Sequence, residues 1–99
     1  MPAYSVANLA ESDIKSVLRY TMKTWGRAQT VRYRQELQNC FQLLADHPSL
    51  GRSCDSIHPG MRRLEVGKHV VFYLPEPDGL LIVRVLHQQM VPANFHFEP

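Results

Sequence analysis

The run from Leu80 to His87 constrains this chain more than any other feature. It is apolar throughout except at Arg84 and its final histidine, a pattern typical of a central strand that is covered on both faces. Two further predicted strands precede it, Met61–Val66 and His69–Leu74. The turn Gly67-Lys68 connects these two strands, and the turn Pro75–Gly79 leads into the apolar run. Because both connections are short, the three strands are predicted to form an antiparallel meander.

The N-terminal half begins with one short strand and then changes to helical periodicity. Tyr4 to Leu9 is predicted to be a strand, after which Ser12 and Asp13 are candidate helix caps. The first helix carries apolar residues three to four positions apart, which predicts a face packed on the core: Ile14, Val17, Leu18, Met22 and Trp25. Gly26 ends this pattern.

A second helix is predicted from about Arg27 to Asp46. Its apolar stripe, which we also assign to the core, consists of Tyr33, Leu37, Phe41 and Leu44. The pair His47-Pro48 ends the helix, and residues 48–60 form a predicted loop. The order strand, helix, helix and three strands (βααβββ) predicts an α+β fold in which a helical hairpin packs on one sheet. The 99 residues of the chain suffice for one such domain, 1–99.

Composition narrows the class of protein. Eleven Lys and Arg against nine Asp and Glu give a formal net charge of +2, too small an excess to indicate direct, sequence-specific binding of nucleic acid. The chain has no apolar stretch near the roughly 20 residues that cross a bilayer. Its first residues lack the pattern of a signal peptide. We therefore expect a cytoplasmic protein without a membrane partner.

Cysteine and histidine residues do not predict a metal site or another cofactor. The four residues that could suggest one are Cys40, His47, Cys54 and His58. Their spacing matches none of the usual zinc patterns, whose paired ligands lie two to five residues apart. Two cysteines in a reducing compartment are expected to be free thiols, and Cys40 is expected to pack as a small hydrophobic residue.

Taken together, the ordered motifs resemble the ParE-type toxins of the RelE/ParE superfamily. They extend over nearly the whole chain: Asp13-Ile14, Tyr20, Trp25-Gly26, Leu43-Leu44-Ala45, His47-Pro48-Ser49-Leu50-Gly51-Arg52, Pro59-Gly60-Met61-Arg62-Arg63-Leu64, Val66-Gly67-Lys68-His69-Val70-Val71-Phe72-Tyr73 and Ile82-Val83-Arg84-Val85-Leu86-His87. The family fold is the same βααβββ arrangement. One departure follows the last strand, where the family commonly has Arg and Asp and this chain has Gln89 and Val91.

The resemblance implies the toxin of a type II toxin–antitoxin system. Such a toxin acts on DNA gyrase without being an enzyme itself, and a ParD-like antitoxin neutralises it in a hetero-oligomeric complex. The C-terminal segment is implicated in toxicity across the family. The expected target contacts are therefore Arg84, His87, Gln89, Met90, Phe95, His96 and Phe97.

Two alternatives remain open from the sequence. One is the ribosome-dependent mRNA endonuclease of the RelE-like branch, which needs a base, an acid and cations around the scissile phosphate. Its candidates here are Arg63, Glu65, His69, Arg84 and His87. Arg63, Glu65 and His69 are expected to share one strand face, because alternate residues point to the same side. Arg84 would bridge to Glu65 or line a pocket. The other alternative is a non-toxic relic of the family.

Overall fold

A computed structural model of the chain describes residues 3–90. Its elements are β1 (Ala3–Val6), α1 (Asn8–Trp25), α2 (Arg27–Asp46), β2 (Arg52–Ser53), β3 (Arg62–Val66), β4 (His69–Glu76), β5 (Gly79–His87) and a 3₁₀ turn (Gln88–Met90). The predicted bounds of α2 and the α+β element order are confirmed. No helix among residues 3–90 combines the length and the apolar character needed to span a membrane.

The strands form one sheet in the order β1-β5-β4-β3-β2. β3, β4 and β5 are antiparallel neighbours, as the short turns predict, whereas β1 pairs with β5 in parallel. The apolar strand β5 therefore lies between two others, and its central position is confirmed. β2 is a two-residue strand within the segment predicted as a loop, too short to produce a detectable alternation of apolar and polar residues.

Both faces of the sheet are covered by apolar packing. On one face, α2 contributes Leu37, Phe41 and Leu44 to a core that includes Ile82 and Val85 of β5. On the other face, the segment around Cys54 and Met61 packs with strand residues Val70, Phe72, Val83 and Leu86. Burial on both sides explains why β5 is apolar at nearly every position.

A bulge in β5 sets which side chains reach the helices. Val71 pairs with Val85 and Phe72 with Arg84, but Tyr73 pairs with Ile82, so the register shifts at this point. Ile82 and Val85 consequently both join the helix-side core although three positions separate them. A regular strand would place them on opposite faces, so the bulge decides what the second half of β5 presents to α1.

The predictions for the first helix need correction. β1 ends at Val6 and α1 already begins at Asn8, after the extended residue Ala7, so Ser12 and Asp13 are not caps. Met22 and Trp25 are not core residues, because 47% and 68% of their surfaces are exposed. The buried residues of α1 are instead Ala10 and Thr21. Small residues allow a helix to lie close to its neighbours. The spacing of large apolar side chains does not reveal a buried face that is formed by small residues.

Candidate functional site

A cleft lies between α1 and the C-terminal half of β5. β1 pairs with β5 only as far as Ile82, so the strand beyond that point lies beside α1. Two cavities of about 520 and 390 Å³ occur there and share Tyr20, His69 and His87 among their lining residues. We call these two adjacent cavities together the α1–β5 cleft.

An ion pair between α1 and β5 joins the two walls of the cleft. The Arg84 guanidinium donates from Nε to Asp13 Oδ2 at 2.7 Å and from Nη2 to Oδ1 at 3.0 Å. The backbone N–H of Val85 also donates to Oδ2, at 3.0 Å. The hydrogen bond to Asp13 is the largest cause that raises the pKa of Arg84. The proposed bridge from Arg84 to Glu65 is therefore wrong, whereas the prediction that Arg84 lines a pocket is confirmed.

The floor of the cleft contains two histidines from neighbouring strands. His69 on β4 lies directly opposite His87 on β5, and their ring centroids are 5.5 Å apart at an interplanar angle of 84°. The Nδ1 atom of His69 is 2.6 Å from the hydroxyl of Tyr33 on α2. Burial and the neighbouring His87 lower the pKa of His69. Burial, with smaller contributions from Glu36 and Cys40, raises the pKa of Tyr33 to about 12, so its phenol remains protonated near neutral pH.

The rim of the cleft presents two exposed aromatic side chains. Tyr20 and Trp25 are 66% and 68% exposed, respectively, and both line the smaller of the two cavities. Large aromatic residues are enriched among the side chains that contribute most to protein–protein binding. The geometry therefore fits a surface that binds another molecule.

Arg63 and Glu65 lie away from this cleft. Glu65 forms ion pairs with Arg52 and Arg63, and Nη2 of Arg63 lies 3.4 Å from Oε1 of Glu65. Arg63 pairs with Phe72 in the register and its guanidinium lies 5.7 Å from that ring centroid. Since directly paired residues share a face, Arg63 and Glu65 lie on the side of Phe72, opposite the helices.

The five candidates for RNA cleavage are thus divided by the sheet. His69 and His87 lie on the helix side and line the α1–β5 cleft, whereas Arg63 and Glu65 lie on the other face. Arg84 pairs with Phe72 in the register, but its guanidinium reaches Asp13 of α1 beside the edge of β5 that β1 leaves open, and so it also lines the cleft. The expectation that His69 shares a face with them is wrong, because His69 pairs with Val66 and contacts Tyr33 of α2.

The predicted target contacts are only partly within the described chain. Gln89 lines the cleft beside His87, and Met90 belongs to the 3₁₀ turn that follows β5. Phe95, His96 and Phe97 lie outside the described residues. Asp13 and Tyr33 were not recognised from the sequence as parts of this site. The sequence indicates only that Arg84, a single cation in an apolar strand, requires an acidic partner, and it does not single out Asp13.

A second surface feature lies on the helical hairpin. A groove of about 370 Å³ between α1 and α2 has an apolar floor and a charged rim, and we call it the hairpin groove. Its floor is formed by Tyr4, Val6, Ile14, Leu18, Leu37 and Phe41, and its rim by Glu11, Lys15 and Arg34. Tyr4 packs edge-on against Phe41 with ring centroids 5.4 Å apart.

Within residues 3–90, no group of three His, Cys, Asp or Glu side chains is arranged to hold a metal ion. Cys40 and Cys54 are buried free thiols, and burial raises the pKa of Cys40 to about 11. The packing of Cys40 as a hydrophobic residue is confirmed.

Comparison with known proteins identifies the family. The family described as the ParE toxin of the type II toxin–antitoxin system, parDE, matches residues 4–92. Toxin ParE1 of Mycobacterium tuberculosis is 38% identical over 88 residues, which are 88% of this chain and 90% of the relative. Toxin ParE1 of Caulobacter vibrioides is 36% identical over 90 residues, 91% of this chain and 93% of the relative. A solved structure described as the chromosomal ParDE TA system from P. aeruginosa shares the fold, with a TM-score of 0.72, 17% identity and coverage of 88% of this chain and 96% of that chain. This chain therefore belongs to the ParE family of toxins of type II toxin–antitoxin systems.

Proposed function

We propose that this toxin inhibits DNA gyrase by binding to it, without catalysing a reaction itself, and that a ParD-like antitoxin neutralises it by direct contact. One observation supports a binding mechanism without catalysis: the candidate acid–base residues lie on opposite faces of the sheet. RNA cleavage requires a base, an acid and a cation that converge on one phosphate. Arg63 and Glu65 cannot converge with His69 and His87 across a packed sheet, and Arg84, the candidate cation that lines the cleft, has its charge neutralised by Asp13.

We assign the gyrase contact to the α1–β5 cleft and the segment that follows it. The cleft combines exposed Tyr20 and Trp25 with the polar groups of His87 and Gln89. The Asp13–Arg84 ion pair joins the two walls of the cleft and fixes the position of the Arg84 side chain. The contact set is completed by Met90, Phe95, His96 and Phe97.

We assign the antitoxin contact to the hairpin groove. An apolar floor flanked by charged residues of both signs suits an amphipathic segment that places apolar side chains into the groove and polar ones on its rim. Binding there would cover Ile14 and Leu18, which are only half-buried in the free toxin. We place the resulting hetero-oligomer in the cytoplasm and treat the chain as a single toxin domain.

The first experiment is a DNA supercoiling assay with purified gyrase, run beside an mRNA cleavage assay on translating ribosomes. We expect loss of supercoiling or accumulation of cleaved DNA, with intact mRNA. Trp25→Ala should weaken the inhibition, whereas Val31→Ala, an exposed apolar residue of α2 outside the cleft, should not. Active gyrase together with cut mRNA would refute the proposal and identify His69 and His87 as catalytic candidates. If neither target responds, the relic alternative is favoured.

The antitoxin contact is tested by binding of the co-expressed antitoxin. Leu18→Glu introduces a charge into the floor of the hairpin groove and should weaken binding by tenfold or more, since a desolvated charge costs more than about 1.4 kcal/mol. Arg19→Glu changes the adjacent exposed position and serves as the matched control. Equal binding of both variants would place the antitoxin elsewhere.

A further inference from the structure

The turn that follows β5 is fastened by two hydrogen bonds of different kinds. The backbone N–H of Gln88 donates to the carbonyl oxygen of Lys68 at 2.9 Å. The backbone N–H of Gln89 donates to Nδ1 of His87 at 3.1 Å. His87 thus caps the turn from two residues before Gln89, in the manner of an N-cap side chain. Only the second bond depends on a titratable group.

The bond to Gln89 determines the protonation state of the His87 ring. Since an N–H group can only donate, Nδ1 of His87 must carry a lone pair, and the neutral ring has its proton on Nε2. A doubly protonated imidazole carries hydrogens on both nitrogens and has no acceptor left. Protonation of His87 therefore removes the bond to Gln89. The Nδ1–H of the ring and the backbone N–H of Gln89 then face each other as two donors and repel.

His69 responds differently although it lies opposite His87. The Tyr33 hydroxyl is 3.1 Å from the carbonyl oxygen of Val66, which can only accept, so the hydroxyl donates its single proton there. His69 must then donate from Nδ1 to the Tyr33 oxygen, which leaves Nε2 as the free site. A proton added at Nε2 keeps the bond to Tyr33, so protonation of His69 breaks no contact.

Charged and titratable groups from several elements face the pair of histidines in the cleft. α1 contributes Asp13, paired with Arg84, and Tyr20; α2 contributes Tyr33 and Glu36; the turn between β3 and β4 contributes Lys68. With the rings 5.5 Å apart, a positive charge on His87 opposes a charge on His69.

We propose that His87 is a proton-operated latch for the turn Gln88–Met90. In its neutral form it holds the Gln89 amide, and in its protonated form it releases that amide while the bond from Gln88 to Lys68 persists. The latch lies directly after β5, so pH controls how firmly the turn Gln88–Met90 is held at the end of that strand. This inference does not depend on the target of the toxin.

The test is an NMR titration of the intact chain from about pH 8 to about pH 5, the range in which histidine changes its charge. The Gln89 amide resonance should shift with the same midpoint as the His87 ring. Its hydrogen-exchange rate, corrected for intrinsic pH dependence, should rise about two- to tenfold, as expected for loss of one hydrogen bond. The Gln88 amide serves as the internal control and should not follow this transition.

Two variants separate the latch from other effects of pH. In His87→Asn, the amide oxygen takes the place of Nδ1 and accepts from Gln89 without titrating, so the Gln89 transition should disappear. In His69→Asn, which keeps a donor for Tyr33, the Gln89 transition should remain. A Gln89 amide that stays constant while His87 titrates would overturn the proposal, and so would a transition that persists in His87→Asn.

Discussion

Tyr73→Phe tests whether one buried hydroxyl ties the segment after α2 to the sheet. Tyr73 is fully buried on β4. Its hydroxyl donates to the carbonyl oxygen of Pro48 at 2.7 Å and accepts from the backbone N–H of Gly51 at 2.9 Å. The site is tight, because a Cβ atom added at Gly51 would lie 2.6 Å from this hydroxyl. Phenylalanine keeps the ring and removes only the two hydrogen bonds.

The magnitude follows from the groups that are left without a partner. Gly51 is buried, and an unpaired buried donor costs about 1–3 kcal/mol. Pro48 is only half-buried, so water replaces much of what its carbonyl loses. We therefore expect the free energy of unfolding to fall by about 2 kcal/mol, or roughly 8–16 °C in Tm for a chain of this length.

The assay is urea and thermal denaturation followed by circular dichroism. The matched control is Tyr20→Phe, which removes a hydroxyl from a 66% exposed tyrosine and should change stability by less than about 0.5 kcal/mol. If Tyr73→Phe also stays within that limit, the hydroxyl does not tie the segment to the sheet and the reasoning is refuted.

Three further predictions concern the cleft and the sheet edge. Asp13→Ala removes the carboxylate that accepts from the largely buried Arg84 guanidinium and from the Val85 N–H. It should lower the free energy of unfolding by about 2–3 kcal/mol in urea denaturation; an effect below about 0.5 kcal/mol would count against the ion pair. Gly79→Ala places a Cβ atom 1.9 Å from the Ala3 carbonyl oxygen, at a residue whose φ is +153°. We therefore expect β1 to detach from β5, which faster hydrogen exchange of the β1 amides would show. Unchanged protection of these amides would contradict the prediction. Because the pKa of His69 is lowered in the folded chain, the unfolded state binds more protons. Stability should therefore be fully present above about pH 6.5 and decline as the pH falls through the folded pKa of His69; the same slope in a His69→Phe variant would exclude His69 as its source.

Much of the architecture is predictable because it depends on local patterns. The apolar run of β5 and its short preceding turns predict a central strand in an antiparallel meander, and the periodicity of α2 predicts its bounds from Arg27 to Asp46. Hydrophobic periodicity reports which side of an element is buried, and turn residues report where it ends. The family resemblance likewise depends on residues in order along the chain.

The cleft was decided only by the tertiary structure. Asp13 and Arg84 are 71 residues apart in the chain, and no local pattern indicates that they pair. The bulge in β5 sets which residues of that strand reach α1, and the register of β4 separates His69 from Glu65. The buried residues of α1, Ala10 and Thr21, are small, whereas Trp25 is exposed at the rim. Local periodicity determines the elements, whereas register and packing across the chain determine which side chains meet in the cleft.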